Sequence, residues 1–279
     1  MNFSTFSLNQ EGALLRVTLE NPPINLMSLN MVEELFQLAG RLHSDPSVKV
    51  VLFDSADPDF FIAHFDIEDM VKANSDPSKA SKYADINALQ SLGLSWKALP
   101  QITIAEVNGC CRGGGLEFIL ALDMRFATLD SRFCFPEASS GFLAAGGGAT
   151  LTALAAGPAR ALEFLLSSRD FNGEEAERYG LLNRALPAAE LDAYLDDLVN
   201  LLLARSTSVI AMHKAVLQTV YAPMVEPVFA GLGAENDGMR KGMDSAEMQA
   251  CVAAALNMPL TREQELNLPA TLAGLNSQI

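Results

Sequence analysis

Apolar and polar positions change their period several times along the first half of the chain. ALLRVTLE, residues 13–20, reads as a strand, and NPPIN after it as a turn carrying two prolines. Val32, Leu35, Phe36, Ala39 and Leu42 then recur at helical spacing behind Ser28, a residue type that caps helix N-termini. DPSVKVVLFDSA restores a strand, apolar on both faces as parallel strands covered on both sides are. The order is strand, helix, strand.

The same alternation continues. A helical region from about Ser75 to Trp96 leads into the strand ITIAEVNG, a glycine turn, the helix GLEFILALD, and then MRFATLDSRFCFPE with short extended runs. Strands alternating with helices predict an α/β fold. From about Leu191 the pattern is helical alone, with LDDLVNLLLARS and SAEMQACVAAALNM amphipathic. A boundary near residue 195 therefore divides a core carrying the chemistry, 1–195, from a helical region, 196–279. Ser139 to Ala159 bears no charge over a length that could span a bilayer. Five glycines inside it, with Pro158 near its end, fit turns between buried elements better than a lipid-facing helix.

Composition narrows the function classes. With 279 residues and 49% apolar content, the chain can bury a sizeable core as one large domain or two smaller ones. Its 34 acidic and 19 basic residues leave a formal charge of -15, which repels phosphate backbones and anionic lipid. Nucleic acid and membrane surfaces are not expected partners. Cys110, Cys111, Cys134 and Cys251 match no zinc pattern, and two are adjacent, so reduced thiols are expected. His64, Asp66, Glu68 and Asp69 have no recognisable ligand spacing, and no metal is expected. The N-terminus lacks a basic stretch followed by an apolar one, which points to the cytoplasm.

Candidate chemistry centres on CCRGGGLEFILALD, residues 110–123, where Glu117 stands among apolar neighbours. An ionised carboxylate costs several kcal/mol to bury unless it is paired or protonated, so such a residue has a partner or a task. The partner could be backbone amides or an arginine such as Arg112 or Arg125. Glu137 follows Phe133, Phe135 and Pro136 at the end of an apparently buried strand. Two carboxylates in apolar surroundings have pKa values pushed apart, which prepares acid and base roles. The glycines before the helix let backbone amides approach a negative oxygen, as an oxyanion hole requires, although they also suit a plain tight turn.

These residues together resemble the crotonase, or enoyl-CoA hydratase/isomerase, superfamily. NPPINLMS is similar to its first turn, VVLFDSADPDFFIAHFDI to its strand and first oxyanion loop, and AEVNGCCRGGGLEFILALDMRFA to its second. FCFPEASSGFLAAGGGATL and RALEFLLSSRDFNGEEAERYGLLNRALP continue the match to about residue 190. The resemblance implies a ββα spiral core with a C-terminal helical region, and a lyase of fatty acid metabolism that hydrates a 2-enoyl-CoA by reversible syn addition of water. It implies Glu117 and Glu137 as the catalytic glutamates, and the N–H groups of Phe65 and Gly114 as the oxyanion hole. Ala63, His64, Asp66 and Arg112 are then candidates for substrate contact. No cofactor is implied beyond the substrate's own coenzyme A, and the helical region implies trimers or paired trimers.

The match has departures. His64 stands where the family usually has glycine, and Arg112 where relatives are usually apolar. Asp54, Asp57 and Asp59 occupy a loop where a basic residue suited to coenzyme A phosphates is common. Lys72, Lys79, Lys82, Arg112 and Arg262 are the cations that could compensate. The alternatives are a double-bond isomerase, a crotonase-fold hydrolase of a β-diketone without coenzyme A, and a catalytically idle scaffold, against which the glutamate pair argues.

Overall fold

The computed structural model describes residues 3–75, 86–257 and 260–276. β1 (Phe6–Glu11) and β2 (Leu14–Leu19) pair as an antiparallel hairpin. α1 (Leu29–Leu42) starts where the Ser28 hydroxyl accepts the Met31 N–H at 3.2 Å. Three rounds of strand, strand and helix follow. The first is β3 (Val50–Ser55), β4 (Phe60–Ile62), α2 (Ile67–Ser75) and α3 (Ala88–Lys97). The second is β5 (Ile102–Val107), β6 (Cys110–Arg112) and α4 (Gly114–Leu120). The third is β7 (Met124–Thr128), β8 (Arg132–Cys134), α5 (Gly148–Ala156) and α6 (Pro158–Ser167).

β9 (Phe171–Asn172), α7 (Gly173–Arg178), β10 (Arg184–Leu186) and α8 (Ala188–Leu203) complete the core. One sheet runs β1-β2-β3-β5-β7-β10, parallel beyond the first hairpin; the other runs β4-β6-β8-β9, parallel except at β9. Each round thus steps from the larger sheet to the smaller one and returns through helix. This is the mixed α/β spiral that the alternating pattern predicts.

Burial explains the apolar strands. Val51 and Phe53 of β3 enter the main core, where Phe53 meets Trp96 and Phe118 edge-on at 4.9 and 5.3 Å. Val50 and Leu52 point the other way, onto Leu191, Leu195 and Val199 of α8. Covered on both faces, β3 has no polar side to show. The boundary expected at residue 195 falls inside α8, a helix whose buried stripe packs on the sheet. The uncharged stretch 139–159 is a short 3-10 turn, a glycine turn, α5 and the first turn of α6.

α9 (Thr207–Tyr221), α10 (Val225–Met243), α11 (Ala246–Asn257), α12 (Arg262–Leu266) and α13 (Leu268–Asn276) follow. α9 is tied down by Lys214, whose ammonium donates to the Leu99 and Gln101 carbonyls at 2.7 Å and to Asp123 at 2.9 Å.

Between β2, β3, β5 and α8 lies a polar cavity of about 520 Å³, lined in part by Arg16, Asp54, Glu106 and Asp192. Burial pushes the Glu106 carboxyl up to about 7; Arg16 opposes this, while a hydrogen bond shared with Asp192 adds to it. Because Glu106 binds its proton more tightly in the folded chain, the folded state holds more protons than the unfolded one between the ordinary carboxylate range and about pH 7. Stability from this group is therefore fully present below the unfolded pKa and lost as pH rises through 7. Glu106→Gln should retain up to about 2 kcal/mol of stability that the parent loses between pH 5 and pH 8. Denaturant titrations at the two pH values check this, and parallel losses in both chains contradict it.

Candidate active site

β4, β6 and β8 are parallel neighbours, with Ile62 paired to Cys111 and Arg112 to Cys134. Their carboxyl ends therefore lie side by side, the position at which α/β sheets hold ligands. Residues 63–66 leave β4, Gly113 and Gly114 leave β6, and Phe135 to Glu137 leave β8. Three loops distant in sequence meet through three adjacent strand ends.

Gly114 opens α4 beside Phe65: a Cβ built on it would lie 3.0 Å from the Phe65 Cβ. The Phe65 loop is fixed by Met27, whose N–H donates to the His64 carbonyl and whose carbonyl accepts the Asp66 N–H. Among the described residues, neither the Phe65 nor the Gly114 N–H is spent in the turn and loop bonds of this region. Leu89 of α3 reaches the same place, 3.4 Å from the Gly114 Cβ position.

Glu117 lies one turn into α4, its own N–H bonded to the Gly113 carbonyl at 3.0 Å. It is 4% exposed. Its Oε1 accepts the N–H groups of Gly146 at 2.6 Å and Gly148 at 3.0 Å. A Cβ at either glycine would collide with this carboxylate, so only glycine lets the backbone close around it. Burial, then the like charges of Glu137 and Glu235, hold the Glu117 carboxyl well above the usual carboxylate range, against the pull of the two amides.

Glu137 begins the 3-10 turn Glu137–Ser140. Its Oε1 would stand 2.6 Å from a Cβ on Gly113, whose φ of +47° also demands glycine. Its Oε2 is buried with no partner. Burial pushes Glu137 up to about 7, and the positive charge of His64 pulls in the opposite direction. The two carboxylates thus have unlike surroundings: two glycine amides and like charges for Glu117, its own backbone N–H and then His64 for Glu137.

His64 is anchored on both ring nitrogens. Nδ1 lies 2.8 Å from the Phe65 carbonyl and Nε2 lies 3.2 Å from Glu265 of α12. α12 is fastened over this loop at both ends. Arg262 pairs with Asp57 and Asp59 at 2.7 Å each and lies over the Phe60 ring, while Arg112 and Arg132 donate to the Glu265 and Leu266 carbonyls.

Three of the expected substrate contacts have protein partners in this structure. Arg112 has no exposed surface; it makes a two-pronged pair with Asp170 at 2.7 and 2.8 Å and spends its remaining donors on α12. Ala63 is fully buried, with its N–H on the Asn25 carbonyl and its methyl in a cluster with Ile24, Phe60 and Cys110. Asp66 uses Oδ1 to accept the Glu68 and Asp69 N–H groups and so caps α2. His64 alone of the four stands next to a catalytic candidate. Lys72 pairs with Glu68 and Asp69, and Lys79 and Lys82 lie outside the described residues.

The acidic loop is compensated within the fold. Asp54 binds Arg16, and Asp57 and Asp59 share Arg262. Sequence reading missed Glu235, which accepts from Gly147, Thr150 and Gln90 and holds the glycine turn that holds Glu117. It also missed Glu265 and Asp170. The one local hint for Glu235 was a carboxylate in an otherwise small and apolar helix segment, FAGLGAEN.

Residues 9–254 match the family model described as Enoyl-CoA hydratase/isomerase. The carnitinyl-CoA dehydratase of Proteus mirabilis (strain HI4320) is 30% identical over 186 residues, 66% of this chain and 69% of the relative. The short-chain-enoyl-CoA hydratase of Clostridium acetobutylicum is 25% identical over 78% of this chain and 82% of its own. A crystal structure of a Streptomyces avermitilis protein assigned to the enoyl-CoA hydratases superposes over 100% of both chains with a TM-score of 0.90 and 33% identity.

The structural role of Arg112 has a stability signature. Arg112→Ala leaves Asp170 and two carbonyls without their donor in a buried setting and should cost about 3 kcal/mol, read from the denaturant midpoint. An arginine whose work is ligand binding would leave the midpoint unchanged.

Proposed function

The chain belongs to the enoyl-CoA hydratase/isomerase family, the crotonase superfamily, and we propose that within it this enzyme hydrates a 2-enoyl-CoA thioester. The observation that carries the reading is Glu117, buried on α4 within the field of Glu137, whose Oε2 is buried with no hydrogen-bond partner, with Phe65 and Gly114 adjacent to each other at the same strand ends.

Physical chemistry assigns the roles. Glu117, the deeper carboxyl with two like-charged neighbours, carries the proton; Glu137, with His64 beside it, is the carboxylate. The thioester oxygen takes the Phe65 and Gly114 N–H groups, and each such donor is worth about 3 kcal/mol once the oxygen becomes enolate-like. Glu137 accepts a proton from the water that attacks the β-carbon. The Glu117 proton goes to the α-carbon. Addition from one side of the double bond is syn, and the reverse reaction uses the same two groups with their roles exchanged.

Coenzyme A enters as part of the substrate, and no separate cofactor takes part in these steps. The acidic loop is less hostile to its phosphates than the sequence alone suggests, because Arg16 and Arg262 offset much of the charge of Asp54, Asp57 and Asp59. Assembly into trimers, singly or in pairs, rests on α9 and α10. Met212, Val216, Leu217, Val220, Tyr221, Val225 and Phe229 are exposed there. Among the described residues, Thr207–Met243 is the one helical stretch long and apolar enough to cross a membrane. It is broken by a 3-10 turn at Ala222–Met224 and tied to the core by Lys214 and Glu235, which suits a face against another subunit.

Glu117→Gln and Glu137→Gln should each cut turnover of a short 2-enoyl-CoA by at least ~100-fold. Near-normal hydration by either variant removes the assignment, and a product with a shifted double bond in place of a new hydroxyl moves the enzyme to the isomerase side. Calorimetric titration with coenzyme A and acetyl-CoA separates a further case: absence of binding at millimolar concentration favours a substrate without coenzyme A. Light scattering should give the mass of a trimer or of two trimers, and a monomer refutes the assembly.

A further inference from the structure

His64 sits between a C-terminal helix and the catalytic pair, and both of its ring nitrogens face groups that can only accept. The Phe65 carbonyl takes Nδ1–H and the Glu265 carboxylate takes Nε2–H, so only the doubly protonated ring satisfies both. Glu265 is 6% exposed and the His64 side chain 14%, so water does little to screen the pair. On its other side, His64 borders Glu137: a Cβ on Gly113 would lie 3.6 Å from the His64 Cβ and 2.6 Å from Glu137 Oε1. The imidazole is thus held by the Glu265 carboxylate, on a residue whose Cβ borders the same glycine as the Glu137 carboxylate.

We propose that His64 and Glu265 form a positioning pair, in which an imidazolium pinned by α12 stabilises the ionised form of Glu137 and so makes the C-terminal helix part of the working site. The inference rests on the hydratase reading for its consequence in catalysis, while the pairing itself stands on geometry alone. No other protonation state of His64 serves both partners. The remaining charged groups near the pair are already matched: Arg112 with Asp170, Arg262 with Asp57 and Asp59, and Asp66 on the N-terminus of α2. On the glycine-turn side, Glu117 accepts from Gly146 and Gly148, and Glu235 accepts from Gly147 and Thr150.

The direction of the titrations agrees with this geometry. Burial works against the charged ring, but the Glu265 carboxylate, the Phe65 carbonyl and Glu137 together outweigh it, and His64 stands above the ordinary histidine value. Burial drives Glu137 up, and His64 restrains it. Neutralising His64 must let the Glu137 carboxyl rise further, so the acidic limb of the pH–rate profile moves to higher pH.

The pairing is tested by NMR titration of the histidine ring nitrogens in the full-length, substrate-free protein. The chain has three histidines, His43, His64 and His213, and His64→Gln identifies the resonance. That ring should titrate above the ordinary histidine value in the parent. In Glu265→Gln its titration should fall by at least one pH unit, and in Glu137→Gln it should fall as well, since coupling between two sites is reciprocal. A His64 ring that is neutral at pH 7 in the parent overturns the proposal, as does one that ignores both substitutions. Activity then reads the consequence. In Glu265→Gln the kcat/KM for a 2-enoyl-CoA should drop several-fold at pH 6 and little at pH 9, and Glu265→Asp should restore the low-pH activity in part. A uniform loss at every pH assigns Glu265 a merely structural role. If the parent hydrates no enoyl-CoA, the proposed function fails, and the NMR titrations still decide the pair.

Discussion

Glu117 is buried within the field of Glu137 and Glu235, and the repulsion of like charges away from water is the constraint around which the site is arranged. Glu117 has the deeper position, faces Glu137 and Glu235, and is cradled by the Gly146 and Gly148 amides. Glu137 has His64. The glycine turn at 146–148, the loop after β4 and the C-terminal helices each contribute one component that pushes the two groups toward different protonation states. The proposed hydration needs one acid and one base at the same pH, and unlike surroundings can give two residues of one type these two roles.

That dependence reaches beyond the spiral core. Glu235 comes from α10 and Glu265 from α12, so the helical region supplies carboxylates to a site whose candidate catalytic groups lie on α4 and after β8. Glu235 accepts from the turn that cradles Glu117, which fixes Glu117 through backbone rather than by touching it. α12 is fastened by Arg112, Arg132 and Arg262, three arginines whose donors are spent on protein. The spiral core and the helical region both supply residues around the candidate site.

The acidic character of the chain also looks different in three dimensions. Asp57 and Asp59 repel anions in a linear reading, yet they meet Arg262, which is about two hundred residues later in the chain. Arg112 reads as a cation beside the oxyanion glycines and is instead buried against Asp170. In both cases the sequence shows the charge and leaves out the counter-charge. Electrostatic conclusions about ligands need both.

Much of the molecule could be read from the chain alone. Period-two and period-3.6 patterning placed β2, α1, β3, β5 and α4, because the side of an element that is buried is written into its apolar spacing. Glu117 stood out for the same reason, as a charge inside an apolar run, and Glu137 as a charge closing one. Motif resemblance added the Phe65 and Gly114 amides, which no composition or periodicity marks. What the tertiary structure alone decided is which distant groups meet. Glu265 and Asp170 lie in segments whose local pattern is that of ordinary polar positions, Glu235 in a small and apolar one, and the partners of all three come from elements distant in the chain. The outward or inward direction of Arg112, Ala63 and Asp66 was settled in the same way, since a strand end or loop exposes its side chains according to what packs on it, and the packing partners lie up to 150 residues away.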